Sequence, residues 1–315
     1  MDKMVIFSGN SNKRLAERIA KSLGIALGRI FISRFSDGEV RVKIEENARG
    51  KDVFVIQSTC PPVNENLMEL LVILDALRRA SADRVTVVVP YFGYARQDRK
   101  DRPRVPITAK LVANIVTVAG ANRILTLDLH AGQIQGFFDI PLDHLFAINV
   151  FFDYFKKIKI NDLVVVSPDV GAVKQARAYA KKFQAGLAIV DKRRESPDST
   201  EVMHILGEVK GKNIIMVDDM IATGSSLVEA AKALKKAGAK KIFATVTHGV
   251  LSANAVEKIN KSDIDSLIIT DSIPLNKEKS NKRIKVVSVA DLFAEAIRRI
   301  HFEKSISVLF DSIGE

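Results

Sequence analysis

The stretch Gly120–Gly132, GANRILTLDLHAG, decides the fold, because the chain repeats its pattern at Gly238–Val250, GAKKIFATVTHGV. Each copy follows an amphipathic segment, continues into a short apolar strand and carries a histidine ten residues after its leading glycine. The simplest account of such a repeat is two domains with one fold. We place them at residues 1–147 and 148–315.

Short apolar runs alternate with amphipathic segments along the chain. The runs are continuously apolar, as in strands that are covered on both faces, and they are Val53–Gln57, Val85–Pro90, Ile124–Asp128, Leu163–Ser167, Ile214–Asp218 and Ile242–Thr247. The segments with helical periodicity are Lys13–Leu23, Glu65–Ala80, Ile107–Ala119 and Ser225–Ala237. This alternation predicts an α/β protein with two tandem doubly wound domains and parallel sheets, whose last residues pack back on the first domain. Ligands are expected at the carboxyl ends of the strands.

The two copies differ in the connection that precedes each helix. The first domain carries the long insert Tyr91–Pro106, YFGYARQDRKDRPRVP, where the second has only Met220–Gly224, MIATG. The two halves therefore share one fold, but we expect them to have different functional roles.

Composition restricts the class of protein. Nearly half of the 315 residues are hydrophobic, which is enough for two cores, and the formal net charge of +11 favours anionic partners. The chain has no Trp and no nucleic-acid-binding signature, so phosphorylated metabolites rank above nucleic acid as ligands. Cys60 is the only cysteine, and no signal peptide or membrane-spanning run is present. We expect a cytoplasmic protein with no membrane partner.

The segment Val217–Ser226, VDDMIATGSS, carries the strongest chemical signal. It follows a predicted strand and opens a predicted helix, so the backbone N–H groups and hydroxyls of residues 223–226 would converge at the positive end of the helix dipole and bind a phosphate. Asp218 and Asp219 would accept hydrogen bonds from two ribose hydroxyls. The alternative is a purely structural strand-to-helix turn.

Several further stretches have a recognisable pattern. They are FSDGE (Phe35–Glu39), NENLMELL (Asn64–Leu71), PYFGYARQDRK (Pro90–Lys100), DLHAGQIQGFFDIP (Asp128–Pro141), SPDVGAVKQA (Ser167–Ala176) and DKRR (Asp191–Arg194). With VDDMIATGSS, they make the chain resemble, from end to end, the phosphate-activated class of the ribose-phosphate pyrophosphokinase family, whose domains have the type I phosphoribosyltransferase fold. The resemblance implies transfer of the β,γ-diphosphate of MgATP to the anomeric hydroxyl of ribose 5-phosphate, which gives phosphoribosyl pyrophosphate and AMP.

That reaction requires cations, because negative charge develops on the phosphoryl oxygens and on the leaving group. Lys192 and Arg194 are the catalytic candidates. They lie in the polar stretch Asp191–Thr200, which follows the predicted strand Leu187–Val190 and which we expect to be a mobile loop that closes over the phosphates. A solvated basic turn is the alternative.

The resemblance also assigns ligands to individual residues. Those assigned to ATP are Phe35, Asp37, Gly38, Glu39, Arg96 and Gln97, with FSDGE reaching the site of a neighbouring subunit. Those assigned to ribose 5-phosphate are Arg194, Asp218, Asp219, Ala222, Thr223, Gly224, Ser225 and Ser226. The cofactor is Mg²⁺, with His130 and Asp169 as assigned ligands and Asp128 beside them at a strand end. We expect His248, the counterpart of His130 in the repeat, to be structural.

One position departs from the family pattern, and the resemblance separately implies allosteric regulation. The family usually reads DDxxDTxGT, whereas the fifth residue here is Ala222 and the segment ends in Thr223, Gly224, Ser225 and Ser226, so a carboxylate near the sugar is missing. The resemblance further implies a homohexamer that phosphate activates and ADP inhibits, through Arg49, Ser81, Arg104, Ser305, Ser307 and Phe310. Gly132 and His144 differ from the residues expected at that regulatory site.

Three other functions are compatible with parts of this pattern. A phosphoribosyltransferase would use the same sugar-phosphate turn, but it needs neither FSDGE nor the long insert. A catalytically silent regulatory subunit would explain Ala222, but the stretch Asp191–Thr200 carries no insertion. A basic nucleic-acid-binding module would bind DNA or RNA in a salt-sensitive way and would not turn over ATP.

Overall fold

The computed structural model describes residues 3–193 and 202–310, and these form two compact α/β units. The first unit contains residues 3–146, 272–274 and 288–310, and the second contains residues 147–193, 202–271 and 275–287. Each is built around a mainly parallel sheet, which confirms the predicted fold class. None of the described helices is both long and apolar enough to span a bilayer.

The first unit has a five-stranded sheet and a separate hairpin. Its elements up to residue 145 are β1 (Met4–Ser8), α1 (Lys13–Leu23), β2 (Ile30–Arg34), β3 (Val40–Ile44), β4 (Asp52–Ile56), α2 (Val63–Arg79), β5 (Arg84–Val89), α3 (Thr108–Ala119), β6 (Arg123–Leu127) and β7 (Leu142–Leu145). The sheet order is β1-β4-β5-β6-β7 and every pairing in it is parallel. The hairpin consists of β2 and β3.

The second unit has a seven-stranded sheet. Its elements are α4 (Ile148–Ile158), β8 (Leu163–Ser167), α5 (Val173–Phe183), β9 (Gly186–Arg193), β10 (Val202–Leu206), β11 (Asn213–Ile221), α6 (Ser225–Lys236), β12 (Lys241–Gly249), α7 (Ala255–Asn260), β13 (Ser266–Thr270) and β14 (Ile284–Val287). The order is β10-β9-β8-β11-β12-β13-β14, and only β10 runs antiparallel to its neighbour. The last helix, α8 (Ala290–His301), belongs to the first unit and packs on α1.

Burial explains why the predicted strands form. β4 is buried along its whole length, and β8 is buried after its first residue, as expected of strands covered on both faces. The helices bury one stripe each and end where the sequence indicates. In α1, the Asn12 side chain accepts the N–H of Leu15 at 3.3 Å, and the helix closes at Gly24.

Strand β11 runs further than the sequence predicts. It continues past Asp218 to Ile221, because β12 continues beside it and pairs His248 with Met220. The adjacent β8 pairs with β11 only as far as Met216. The end of β11 therefore projects beyond the end of β8, and Asp218 and Asp219 lie within a strand rather than after it.

The segment predicted as a mobile catalytic loop begins as a strand, so that part of the prediction is wrong. Residues 191–193 continue β9 because they pair in antiparallel register with residues 202–204 of β10. The local polarity of the sequence suggested a loop, but a partner strand supplies the hydrogen bonds that keep the backbone extended. Residues 194–201, including Arg194, lie outside the described residues.

Candidate functional site

The sugar-phosphate turn, Ala222–Gly224, joins the end of β11 to the start of α6 in the second unit. Gly224 has φ +74°, a left-handed conformation that suits glycine, and it serves as the N-cap residue of α6. The first intrahelical acceptor is the Gly224 carbonyl, which receives the N–H of Val228 at 3.0 Å. The N–H groups in the first turn of a helix have no acceptor inside the helix, so Ser225, Ser226 and Leu227 present theirs at the positive end of the dipole. This is the geometry of an anion site.

Three carboxylates near this turn, those of Asp169, Asp218 and Asp219, interact electrostatically. Asp218 is half-buried, and burial, the charge and hydrogen bond of Asp219 and the charge of Asp169 together raise its pKa to about 8. Asp169 follows β8, and its Oδ1 accepts the N–H groups of Gly171 at 2.8 Å and Ala172 at 3.1 Å. One Asp169 oxygen is thereby fixed by the backbone at the carboxyl end of the sheet. The cluster concentrates negative charge, which favours either a bound proton or a cation.

The donor set fits Mg²⁺, which takes oxygen ligands and keeps several waters. Within residues 3–193 and 202–310, no three His, Cys, Asp or Glu side chains already surround one point in the way a metal cage does. Asp128 and His130 follow β6 in the first unit, while Asp169 lies in the second, so their joint role at one Mg²⁺ stays a prediction. Asp128 is buried with φ +35°, and His130 is exposed.

The FSDGE turn forms the tip of the β2–β3 hairpin. Phe35 and Glu39 close the tip through a backbone hydrogen bond of 2.9 Å, and Gly38 adopts φ +95°, which an L-residue rarely adopts. Asp37 Oδ1 accepts the Glu39 N–H at 3.1 Å. Phe35 is half exposed, and the guanidinium of Arg41 stands 5.5 Å from the centre of its ring. The tip therefore presents an aromatic face and two carboxylates.

Arg96 and Gln97 lie in the connection between β5 and α3, where they line a cavity of about 720 Å³. Gln97 is held at both ends, since its carbonyl accepts the Ala109 N–H at 3.1 Å and its Oε1 accepts the Thr108 hydroxyl at 2.5 Å. The cavity lining does not include the residues of the FSDGE tip. Within one chain, the predicted ATP ligands therefore form two groups, one at the FSDGE tip and the other, Arg96 and Gln97, in this cavity.

Sequence reasoning missed two side chains of this cavity, Asn64 and Tyr94. The Tyr94 hydroxyl donates to the Asn64 amide oxygen, which joins the connection to the start of α2. Both residues stand in stretches that carry the family resemblance, but nothing in the spacing of two segments thirty residues apart indicates that they touch.

The predicted regulatory residues, all in the first unit, divide between two ends of the sheet. Ser305, Ser307 and Phe310 line a cavity of about 600 Å³ together with Arg84 and Arg123. Arg49 and Ser81 precede β4 and β5 at the same, amino-terminal end, where Gly50 N–H donates to the Ser81 carbonyl at 2.9 Å. Arg104 lies in the β5–α3 connection, at the carboxyl end. His144 is buried, and its Nε2 accepts the Leu129 N–H at 2.8 Å.

Comparison with known proteins agrees with this geometry. Residues 4–120 match the family model for the N-terminal domain of ribose phosphate pyrophosphokinase, and residues 193–311 match the phosphoribosyl synthetase-associated domain. The ribose-phosphate pyrophosphokinase of Bacillus caldolyticus is 55% identical over 309 residues, covering 98% of each chain, and that of Fusobacterium nucleatum is 54% identical over 97% of this chain and 98% of its own. The crystal structure of phosphoribosylpyrophosphate synthetase from Mycobacterium smegmatis superposes with a TM-score of 0.91 at 39% identity, covering 96% of this chain and 99% of that one. The chain therefore belongs to the ribose-phosphate pyrophosphokinase family.

Proposed function

We propose that this chain is a ribose-phosphate diphosphokinase. The anomeric oxygen of ribose 5-phosphate bonds to the β-phosphorus of ATP, the bond from that phosphorus to the α,β-bridging oxygen breaks, AMP leaves and the hydroxyl proton passes to solvent. The observation that supports this proposal most directly is the sugar-phosphate turn, where an anion site at the start of α6 stands next to the carboxylates of Asp218 and Asp219.

The two ends of ribose 5-phosphate have different chemistry, and the turn offers a partner for each. The N-terminal amides of α6, with Thr223, Gly224, Ser225 and Ser226 around them, bind the phosphate. Asp218 and Asp219 accept hydrogen bonds from the sugar hydroxyls. Ala222 contributes its backbone but no carboxylate, so Asp218 and Asp219 carry the sugar recognition alone.

Asp169, Asp128 and His130 are the residues that would hold Mg²⁺, which would supply positive charge to neutralise the charge that develops on the transferred phosphoryl oxygens. Two cationic residues of this chain stabilise the same negative charge. Lys192 stabilises the transferring group and Arg194 contacts substrate phosphate, in keeping with the need for cations rather than covalent chemistry. The backbone of Lys192 lies in β9, and Arg194 lies outside the described residues.

ATP is bound by two groups of residues. Arg96 and Gln97 bind it from the β5–α3 connection, and the FSDGE tip contributes Phe35, Asp37, Gly38 and Glu39 to the site of a neighbouring subunit. A protein that shares sites in this way is active only as an assembly, and we propose a cytoplasmic homohexamer. Phosphate and ADP regulate it through Arg49, Ser81, Arg104, Ser305, Ser307 and Phe310.

The test is AMP release from MgATP in phosphate buffer, with and without ribose 5-phosphate, for the wild type and for Lys192→Ala. AMP should appear only with the sugar phosphate. The variant should lose about 10²- to 10³-fold in kcat, the cost of removing one group that stabilises transition-state charge. Lys210→Ala, which removes an exposed lysine beyond β10, should leave the rate unchanged.

Each alternative function gives a different result in this assay. AMP release that ignores ribose 5-phosphate would point to a simple nucleotide hydrolase. No AMP from a folded wild type would point to a silent regulatory subunit, and would make Ala222 the first residue to revert. Consumption of phosphoribosyl pyrophosphate with a nucleobase would identify a phosphoribosyltransferase.

A further inference from the structure

We propose that Lys258 is a positioning residue of the sugar-phosphate turn, which acts on the phosphate of the substrate through the hydroxyl of Ser225. Lys258 lies on α7, far from the turn in sequence, and no motif includes it. The inference rests on the proposed function, because it takes the ligand of the turn to be a sugar phosphate.

The contact between the two residues has a defined direction. Lys258 Nζ donates to Ser225 Oγ at 2.8 Å, and both side chains are half-buried. An ammonium group has three donors and no acceptor, so the Ser225 oxygen must accept. The hydrogen of the Ser225 hydroxyl is then available to donate to a different partner. Ser225 is the first residue of α6, where a bound oxyanion would be that partner.

The backbone fixes Lys258 relative to the turn. The N–H of Leu251 donates to the Ile221 carbonyl and the N–H of Ser252 donates to the Ala222 carbonyl, each at 3.0 Å. These bonds attach the segment that leads into α7 to both residues at the start of the turn. The start of the segment that carries Lys258 is therefore held next to the turn, and the Lys258 side chain reaches Ser225 from there.

The charge of Lys258 suits an anionic ligand. Glu257, its neighbour on α7, is engaged with Lys261 at 2.6 Å. The ammonium of Lys258 thus adds to the positive end of the α6 dipole. At the turn this chain carries Ala222, which has no carboxylate, and Ser225, whose hydroxyl oxygen bonds the ammonium, so the charge next to Ser225 favours a phosphate.

Replacement of the ammonium should weaken substrate binding rather than chemistry. Lys258→Met should raise the KM for ribose 5-phosphate about tenfold, or about 1.4 kcal/mol, and leave the KM for ATP unchanged. The kcat should stay within about twofold, since a contact to the unreacting phosphate is made equally in the ground and transition states. Lys258→Arg should recover most of the affinity, because a guanidinium can also donate to Ser225 Oγ.

Two further variants separate positioning from general charge. Lys261→Met removes the same charge from the end of the same short helix, without a contact to the turn, and should leave the KM unchanged. Ser225→Ala should raise the KM for ribose 5-phosphate, and Lys258→Met added to it should cost much less than it does alone, because the two residues act through one bond. Ser225→Ala also tests the idea if Lys258→Met melts at a lower temperature than the wild type.

Calorimetric titration with ribose 5-phosphate alone separates this inference from the proposed function. If the wild type binds ribose 5-phosphate but releases no AMP, and Lys258→Met binds it more weakly, the inference is supported while the proposed function fails. An unchanged KM in Lys258→Met, an equal rise in Lys261→Met, or full additivity with Ser225→Ala would each overturn it.

Discussion

Each unit combines a β-hairpin with a strand-to-helix connection. The unit with the shorter hairpin loop has the longer connection, and the unit with the longer hairpin loop has the shorter connection. In the first unit the hairpin tip spans only residues 35–39, while the connection from β5 to α3 spans residues 90–107. In the second unit residues 194–201 separate the hairpin strands, while the connection from β11 to α6 is residues 222–224. A short connection leaves a helix N-terminus open at the sheet edge for a small anion, whereas a long one builds a cavity with room for a nucleotide.

The two histidines of the internal repeat also differ between the units, in their exposure to solvent. His130 stands three residues beyond the end of β6 and is exposed. His248 occupies the equivalent place in the second copy, but β12 continues to Gly249, so His248 is inside the strand and only 2% exposed. The repeat preserves the residue, and the length of the strand decides whether the side chain is exposed.

The ionisable cluster of Asp169, Asp218 and Asp219 lies in the second unit. Its effect on stability can be tested by varying the pH. The Asp218 pKa is raised from 3.8 to about 8, so between those pH values the folded chain holds a proton that the unfolded chain has released. The contribution of Asp218 to the free energy of unfolding therefore falls as the pH rises from about 4 to about 8. Asp218→Asn removes this penalty. In metal-free buffer its advantage in unfolding free energy should grow across that window to on the order of 3 kcal/mol at pH 9.

A matched control for this experiment is Asp263→Asn, at an exposed aspartate of the same unit. Chemical denaturation at pH 5, 7 and 9 measures all three proteins. A constant difference between Asp218→Asn and the wild type across that range would mean that burial and the charges of Asp219 and Asp169 do not raise the pKa of Asp218. Added Mg²⁺ should reduce the difference at pH 9 if the cluster binds it.

The sequence was sufficient for the features that depend on local pattern. The helix Lys13–Leu23 was predicted to the residue from its apolar stripe and the glycine that follows it, and in the structure Asn12 caps its start. The continuously apolar strands and the start of α6 at Ser225 were predicted in the same way, and the motifs identified the family. The ligand predicted for each site residue came from the family resemblance rather than from residue spacing.

Features that depend on a distant partner could not be predicted. β11 extends to Ile221 and β9 to Arg193 because a neighbouring strand continues beside each, which the local sequence does not encode. The proximity of Asp169 to Asp218 and the bond from Lys258 to Ser225 likewise join segments that are tens of residues apart. Such contacts are decided by sheet order and register, so they appear only once the chain is folded.

The long connection of the first unit should bind ATP and not the sugar. Arg96→Ala removes an exposed cation from the cavity lining and should raise the KM for ATP about tenfold to thirtyfold, the cost of a charge-assisted hydrogen bond. The KM for ribose 5-phosphate should stay constant. Arg99→Ala, at an exposed arginine of the same connection outside the lining, is the control. A rise in the sugar-phosphate KM in Arg96→Ala would contradict the division of work between the two connections.

The smallest expected effect concerns the missing carboxylate of the short connection. Ala222→Asp leaves the backbone bond to Ser252 in place and adds an acceptor for a sugar hydroxyl, but it also adds negative charge beside Asp218 and Asp219. These effects oppose each other, so the KM for ribose 5-phosphate should fall by only about twofold to fivefold. Ala222→Asn, which adds an amide of similar shape without the charge, is the control. If the KM is unchanged in both variants, while a deoxyribose phosphate is still discriminated, Asp218 and Asp219 suffice for sugar recognition, and a turn of three residues needs no side chain at this position.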